Sequence, residues 1–174
     1  LNTAIGQGNT RVTVLQLAMA YAAIANGGTL YVPQVLQNVK APDGSLSETF
    51  QPRVKRDVRI ASEHLAFIRR ALVDVVQKEG GTAYRARNED GIRIGGKTGT
   101  AQVVSRRGRN DQSSNAWYLD RSHGWFAGFA PAEDPQVAFA VLVEHGGSGG
   151  ASAAPIATSV MQQYLGEPIA EETQ

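Results

Sequence analysis

The stretch "GWFAGFAPAEDPQVAFAVLVEH", Gly124 to His145, decides how the rest of the chain is read. Two apolar runs, from Gly124 and from Gln136, flank the link APAEDP. β-Prone runs separated by a short, turn-rich link predict an antiparallel hairpin. Upstream, "GIRIGGKTGTAQVV" from Gly91 reads as a third strand. Downstream, "ASAAPIATSVMQQYLG" has Pro155 near its start, then Ile156, Val160, Met161 and Tyr164 at helical spacing, and Gly166 at its end. That pattern predicts a closing helix.

Two more helices are expected earlier. Thr13 with Gln16 three residues on is a capping-box pattern, so a helix is predicted from about Val14 to Asn26. Leu17, Ala20, Tyr21 and Ile24 form its apolar stripe, and Gly27 with Gly28 supplies a left-handed stop. From Ser62 to Lys78 a second stripe runs through Leu65, Ile68, Leu72, Val75 and Val76 before Gly80 and Gly81. Between them, Pro33, Pro42 and Pro52 and the turn signal PDG predict short extended pieces and a peripheral hairpin. The order helix, helix, three strands, helix predicts an α+β fold: an antiparallel sheet covered by helices.

Composition narrows the function. The 174 residues carry 17 Lys and Arg against 16 Asp and Glu, a net charge of +1, so no basic footprint for nucleic acid is present. There is no cysteine, which removes thiol nucleophiles and Cys-based metal sites. His64, His123 and His145 fit no metal-binding motif, and no metal or cofactor is expected. No run approaches the length of a spanning helix, so any membrane anchor or export signal is expected outside this chain.

Three motifs compete for the chemistry. Gly91, Gly96, Lys97 and Thr98 fit the phosphate-loop pattern, although the residues around them are polar before and β-prone after, where an apolar strand and a helix are needed. Gly146 to Gly150, GGSGG, fits the nucleophile-elbow pattern around Ser148, but neither His nor Asp follows it. A flexible turn that lets a helix pack close to a strand accounts for it as well. Lys97-Thr98-Gly99 on a strand fits the carboxylate-binding triplet of serine acyltransferases. An extended edge strand would put the Thr98 and Thr100 hydroxyls on one side, with the Lys97 ammonium beside them and Gly99 keeping the surface low.

The triplet has company. IGQG at Ile5, VTVLQLAMAYAAIANGG from Val12, GGT at Gly80 to Thr82, GGKTGTAQ at Gly95 to Gln102, WFAGFAPAEDPQVAFAVLVEHGG from Trp125 and AAPIA at Ala153 resemble, in family order, the C-terminal half of a class B penicillin-binding protein. The VEHGGSGG ending, Val143 to Gly150, is most similar to elongation-type members. The resemblance spans about residues 1–165 and implies that residues 1–166 are the C-terminal portion of a transpeptidase domain, with 167–174 a tail.

The resemblance implies a serine acyl-enzyme that attacks D-alanyl-D-alanine stem peptides of peptidoglycan and is acylated by β-lactams. Lys97, Thr98 and Thr100 match its carboxylate-binding and proton-network positions, and the Thr100 amide matches an oxyanion-hole donor. Implied partners are the remainder of the transpeptidase domain, a membrane glycan polymerase and the elongation complex. The implied location is the periplasmic face of the bacterial inner membrane. One departure stands out: no serine here has a Lys three residues later, so the nucleophile motif is missing. Ser113 to Asn115 fits Ser-x-Asn but falls after Lys-Thr-Gly, where the family places it before. The chain is therefore expected to be an inactive fragment on its own; a non-catalytic module of the same fold, or a nucleotide-binding protein, is the alternative. The polar segment Ser105 to His123, with Arg106, Arg107 and Arg109, lies where the family has a variable loop beside its cleft.

Overall fold

The computed structural model describes residues 11–102 and 121–166. Among the described residues, three helices and seven strands carry the fold: α1 (Val14–Ala25), β1 (Thr29–Tyr31), β2 (Asn38–Lys40), β3 (Leu46–Thr49), β4 (Val54–Asp57), α2 (Ser62–Gln77), β5 (Gly95–Ala101), β6 (His123–Ala130), β7 (Val137–Val143) and α3 (Gly149–Gly166). A single 3₁₀ turn, Tyr84–Ala86, lies between α2 and β5.

The expected antiparallel sheet is present. It has the order β5-β6-β7, so β5 is an edge strand, and the APAEDP link joins β6 to β7. Pleat alternation sorts its side chains. Thr98, Phe126 and Val141 are in register and share one face, as do Thr100, Gly124 and Val143. On that face α3 packs, and Phe126, Phe139, Ala153, Ala154, Ala157 and Met161 form its core with Ile94 and Val76. On the other face lie α1, against β6 and β7, and α2, against β5. Phe126 and Phe129 are both completely buried, on opposite faces of one strand. Burial of each contributes roughly 1.5–3 kcal/mol.

The sequence signals at α1 operate as read. The Thr13 hydroxyl accepts from the Gln16 amide while the Gln16 side chain accepts from the Thr13 amide, a complete capping box. At the other end Gly28 has φ +115° and its amide reaches the Ala23 carbonyl at 2.7 Å, the longer bond of a Schellman stop. The stripe is shifted, however. Ala23 and Ala25 are buried, Leu17, Tyr21 and Ile24 are half-buried, and Ala20 is exposed. Small side chains set the closest approach to the sheet, so the residues that sink deepest are alanines and not the bulky ones.

A similar correction applies to α3. It begins at Gly149, so Pro155 lies inside it instead of at its start. Of the expected stripe only Met161 is buried; Ile156, Val160 and Tyr164 face outward. The buried face is Gly149, Ala153, Ala154, Ala157 and Thr158. β5 also begins later than its sequence run, at Gly95, because the Ile92 amide is taken by the Gln162 side chain of α3 at 2.8 Å and not by a strand.

The region 29–60 matches its expected peripheral character. β2 and β3 form a hairpin around Pro42-Asp43-Gly44, where Asp43 accepts from both the amide and hydroxyl of Ser45; these bonds hold its carboxyl below its ordinary range. β1 pairs with β4. Every residue of β2, β3 and β4 is exposed.

Candidate active-site wall

Lys97, Thr98, Gly99 and Thr100 all lie on β5, along an edge that no strand of the described residues covers. Lys97 leaves the strand on the α2 face by alternation, yet its flexible stem returns the ammonium around the edge. Its Nζ donates to the Thr98 carbonyl at 3.1 Å and to Thr98 Oγ1 at 3.1 Å. Thr100 is on the same face as Thr98, is exposed, and among the described residues its hydroxyl has no hydrogen-bond partner. The structure therefore brings the ammonium and two hydroxyls to one open rim, a donor set suited to a carboxylate.

A fourth member joins them. Thr82, on the loop after α2, lies 2.7 Å from Thr98 Oγ1 and 3.4 Å from Lys97 Nζ, hydroxyl oxygen in both cases. The GGT triplet was the only sequence signal for it. Gly81 places that loop, since a Cβ there would lie 2.2 Å from the Val75 carbonyl oxygen, and buried Ala83 anchors it through its amide to the same carbonyl.

α3 sets the position of the wall from behind. A Cβ at Gly149 would fall 2.0 Å from the Trp125 oxygen and 2.5 Å from the Gly99 oxygen, so the helix can begin there only as glycine. This accounts for GGSGG as a close-packing turn. Ser148 is exposed, and among the described residues no histidine bonds to its hydroxyl, which leaves the elbow reading without a base. The phosphate-loop reading fails as well: Gly96, Lys97 and Thr98 are consecutive residues inside a strand that runs on to Ala101, where that reading needs them in a loop that opens a helix. Among the described residues no cluster of three potential metal ligands exists. Two histidines that looked unrelated in sequence do meet: the His145 amide donates to His123 Nδ1 at 2.8 Å, with the rings edge to face.

The described residues make a wall more than a pocket. A groove of about 370 Å³ runs from Thr82 past Arg85 to Ser148 and Gly150, while a larger one of about 660 Å³ lies by Arg93, at the opposite end of β5. Arg106, Arg107, Arg109 and Ser113 to Asn115 lie outside the described residues, as does the expected tail 167–174.

Comparison with known proteins supplies the context that a single wall lacks. Residues 1–162 match the penicillin binding protein transpeptidase domain. The chain belongs to that family. Among its relatives, the peptidoglycan D,D-transpeptidase MrdA of Acinetobacter baumannii is 40% identical over 170 residues, which is 95% of this chain and 24% of that protein. MrdA of Haemophilus influenzae is 31% identical across 97% of the chain and 26% of that protein. The chain thus spans about a quarter of the length of these relatives. Solved structures agree on the fold. Penicillin-binding protein A of Mycobacterium tuberculosis, in its ceftriaxone acyl-enzyme, superimposes with a TM-score of 0.76 at 31% identity, covering 94% of this chain and 35% of that one. Penicillin-binding protein 2 of Pseudomonas aeruginosa, in complex with WCK 5153, gives 0.72 at 32% identity over 99% and 34%. The α+β reading and the likeness to elongation-type class B members both stand. No described helix is long and apolar enough to cross a membrane.

Proposed function

We propose that this chain forms the Lys-Thr-Gly wall of a peptidoglycan D,D-transpeptidase cleft. The observation that carries the reading is the grouping of Lys97 Nζ, Thr98 Oγ1 and Thr100 along a strand edge that no described strand covers, backed by a helix whose first residue, Gly149, packs on the Gly99 carbonyl. An extended peptide can lie along such an edge, with its terminal carboxylate against the ammonium and hydroxyls.

In this reading a serine from a Ser-x-x-Lys motif outside this sequence attacks the carbonyl between two D-alanines. The serine oxygen–carbon bond forms, the peptide bond breaks, and D-alanine leaves with a proton. The amine of a second stem peptide then displaces the serine and closes the cross-link. Lys97 and Thr98 hold the terminal carboxylate. Thr100 adds a hydroxyl to the proton network, and its amide supports the developing oxyanion. β-Lactams present a carboxylate beside a strained amide and take the same place. The site would face the periplasm on a membrane-anchored parent and serve a glycan polymerase of the elongation machinery.

Two measurements test this. Lys97→Ala in the longer transpeptidase polypeptide that carries these residues should slow acylation by a fluorescent penicillin by about 10²-fold or more. The 174-residue chain by itself should form no covalent adduct, since no Ser-x-x-Lys is present in it. A stable adduct on the isolated chain would show the nucleophile assignment to be wrong. Unchanged acylation in Lys97→Ala would remove the wall from the mechanism.

A further inference from the structure

A proton count around Lys97 leads to a residue with no role so far. The ammonium has three N–H bonds and, among the described residues, three acceptors within reach: the Thr98 carbonyl, Thr98 Oγ1 and, at a longer 3.4 Å, Thr82 Oγ1. All three of its protons can thus be taken inside the protein, and the long contact to Thr82 is the one a carboxylate displaces most readily. The two hydroxyls lie 2.7 Å apart, so one of their two protons is held between them and the other is left over. The trio offers one outward hydroxyl donor.

We infer that Thr82 is a positioning residue whose hydroxyl donates to Thr98 Oγ1, so that the Thr98 proton turns outward to a substrate carboxylate. This rests on the transpeptidase reading above. Once an anion sits on the wall, the Thr98 proton is best spent on it, and both lone pairs of Thr98 Oγ1 are then open to donors. Lys97 fills one and Thr82 fills the other. A hydroxyl that accepts two hydrogen bonds is a stronger donor for its own, because the bonds polarise one another. Thr82 need not touch the ligand. It sets the direction and strength of the group that does.

Position supports the assignment. Thr82 is exposed, so its side chain contributes little to the core, while Gly81 and buried Ala83 fix the loop on either side of it. Gly150 of α3 also closes on the Thr82 carbonyl, which a Cβ at that glycine would meet at 2.3 Å. The loop is held through its backbone and the side chain is left available for this bond.

The test uses the longer transpeptidase polypeptide and two acylating agents, benzylpenicillin and its methyl ester, which lacks the free carboxylate. Thr82→Val removes the hydroxyl at constant shape, and Thr82→Ser keeps it. We expect Thr82→Val to weaken benzylpenicillin binding before acylation by about three- to tenfold, the worth of one hydrogen bond, with the bond-forming rate little changed. The methyl ester should stay within about twofold of wild type, and Thr82→Ser should restore benzylpenicillin. An equal loss for both agents would mark Thr82 as merely structural and overturn the inference, as would a Thr82→Val protein that matches wild type. A wild-type protein that neither agent acylates would instead bring down the transpeptidase reading itself, and the inference with it.

Discussion

The β5–β6–β7 sheet and the strand pairs between residues 29 and 60 are built from the same local rules and reach opposite extremes of burial. Both are antiparallel. In the sheet, β6 has five consecutive buried residues from Phe126 to Ala130 and helices on both faces. In β2, β3 and β4 no residue is buried. Hydrogen-bonded pairing is common to the two, so burial is what separates a strand that can hold side chains in fixed positions from one that only decorates the surface. A short hairpin without an apolar face is marginal in water by itself.

Chemical denaturation of point variants of this chain can break that contrast. Phe126→Ala should cost the most, about 3–5 kcal/mol, because the ring is wholly buried between β5, β7 and α3. Gly128→Ala should come next, on the order of 1–3 kcal/mol, since its Cβ would arrive 2.1 Å from the Gly95 oxygen and 2.8 Å from the Gly96 Cα. Leu46→Ser, on the exposed β3, should stay within about 0.5 kcal/mol of the parent. If Leu46→Ser cost as much as Phe126→Ala, the division between a structural sheet and decorative strands would be mistaken. An intermediate value would mean the hairpin is covered by something.

Much of this was legible in the order of residues. The capping box of Thr13 and Gln16, the turn at Pro42-Asp43-Gly44 and the APAEDP link are local, and local chemistry decides them. Lys97 and Thr98 were readable for a related reason: they are adjacent on one edge strand, and the long Lys97 stem can bend around that edge to reach Thr98. What escaped was set by packing at a distance. The buried face of α3 is its small residues because β6 and the Gly99 carbonyl crowd its start, and a hydrophobic stripe alone points to Ile156 and Tyr164 instead. Thr82 is 16 residues from Thr98, and only the close seating of α2, α3 and β5 makes them partners. The His123–His145 contact likewise appears only once β6 and β7 are in register.

The attachments of α3 have a mechanical meaning. The helix meets the β5 segment at two separated points, through Gly149 on the Gly99 oxygen and through Gln162 on the Ile92 amide. Thirteen helical residues span about 20 Å, close to the roughly 23 Å that seven extended residues cover. A stiff rod fastened to both ends of a ribbon of equal length works as a splint. A tilt of the rod would be felt at Ile92 and at Gly99, on either side of Lys97 and Thr98.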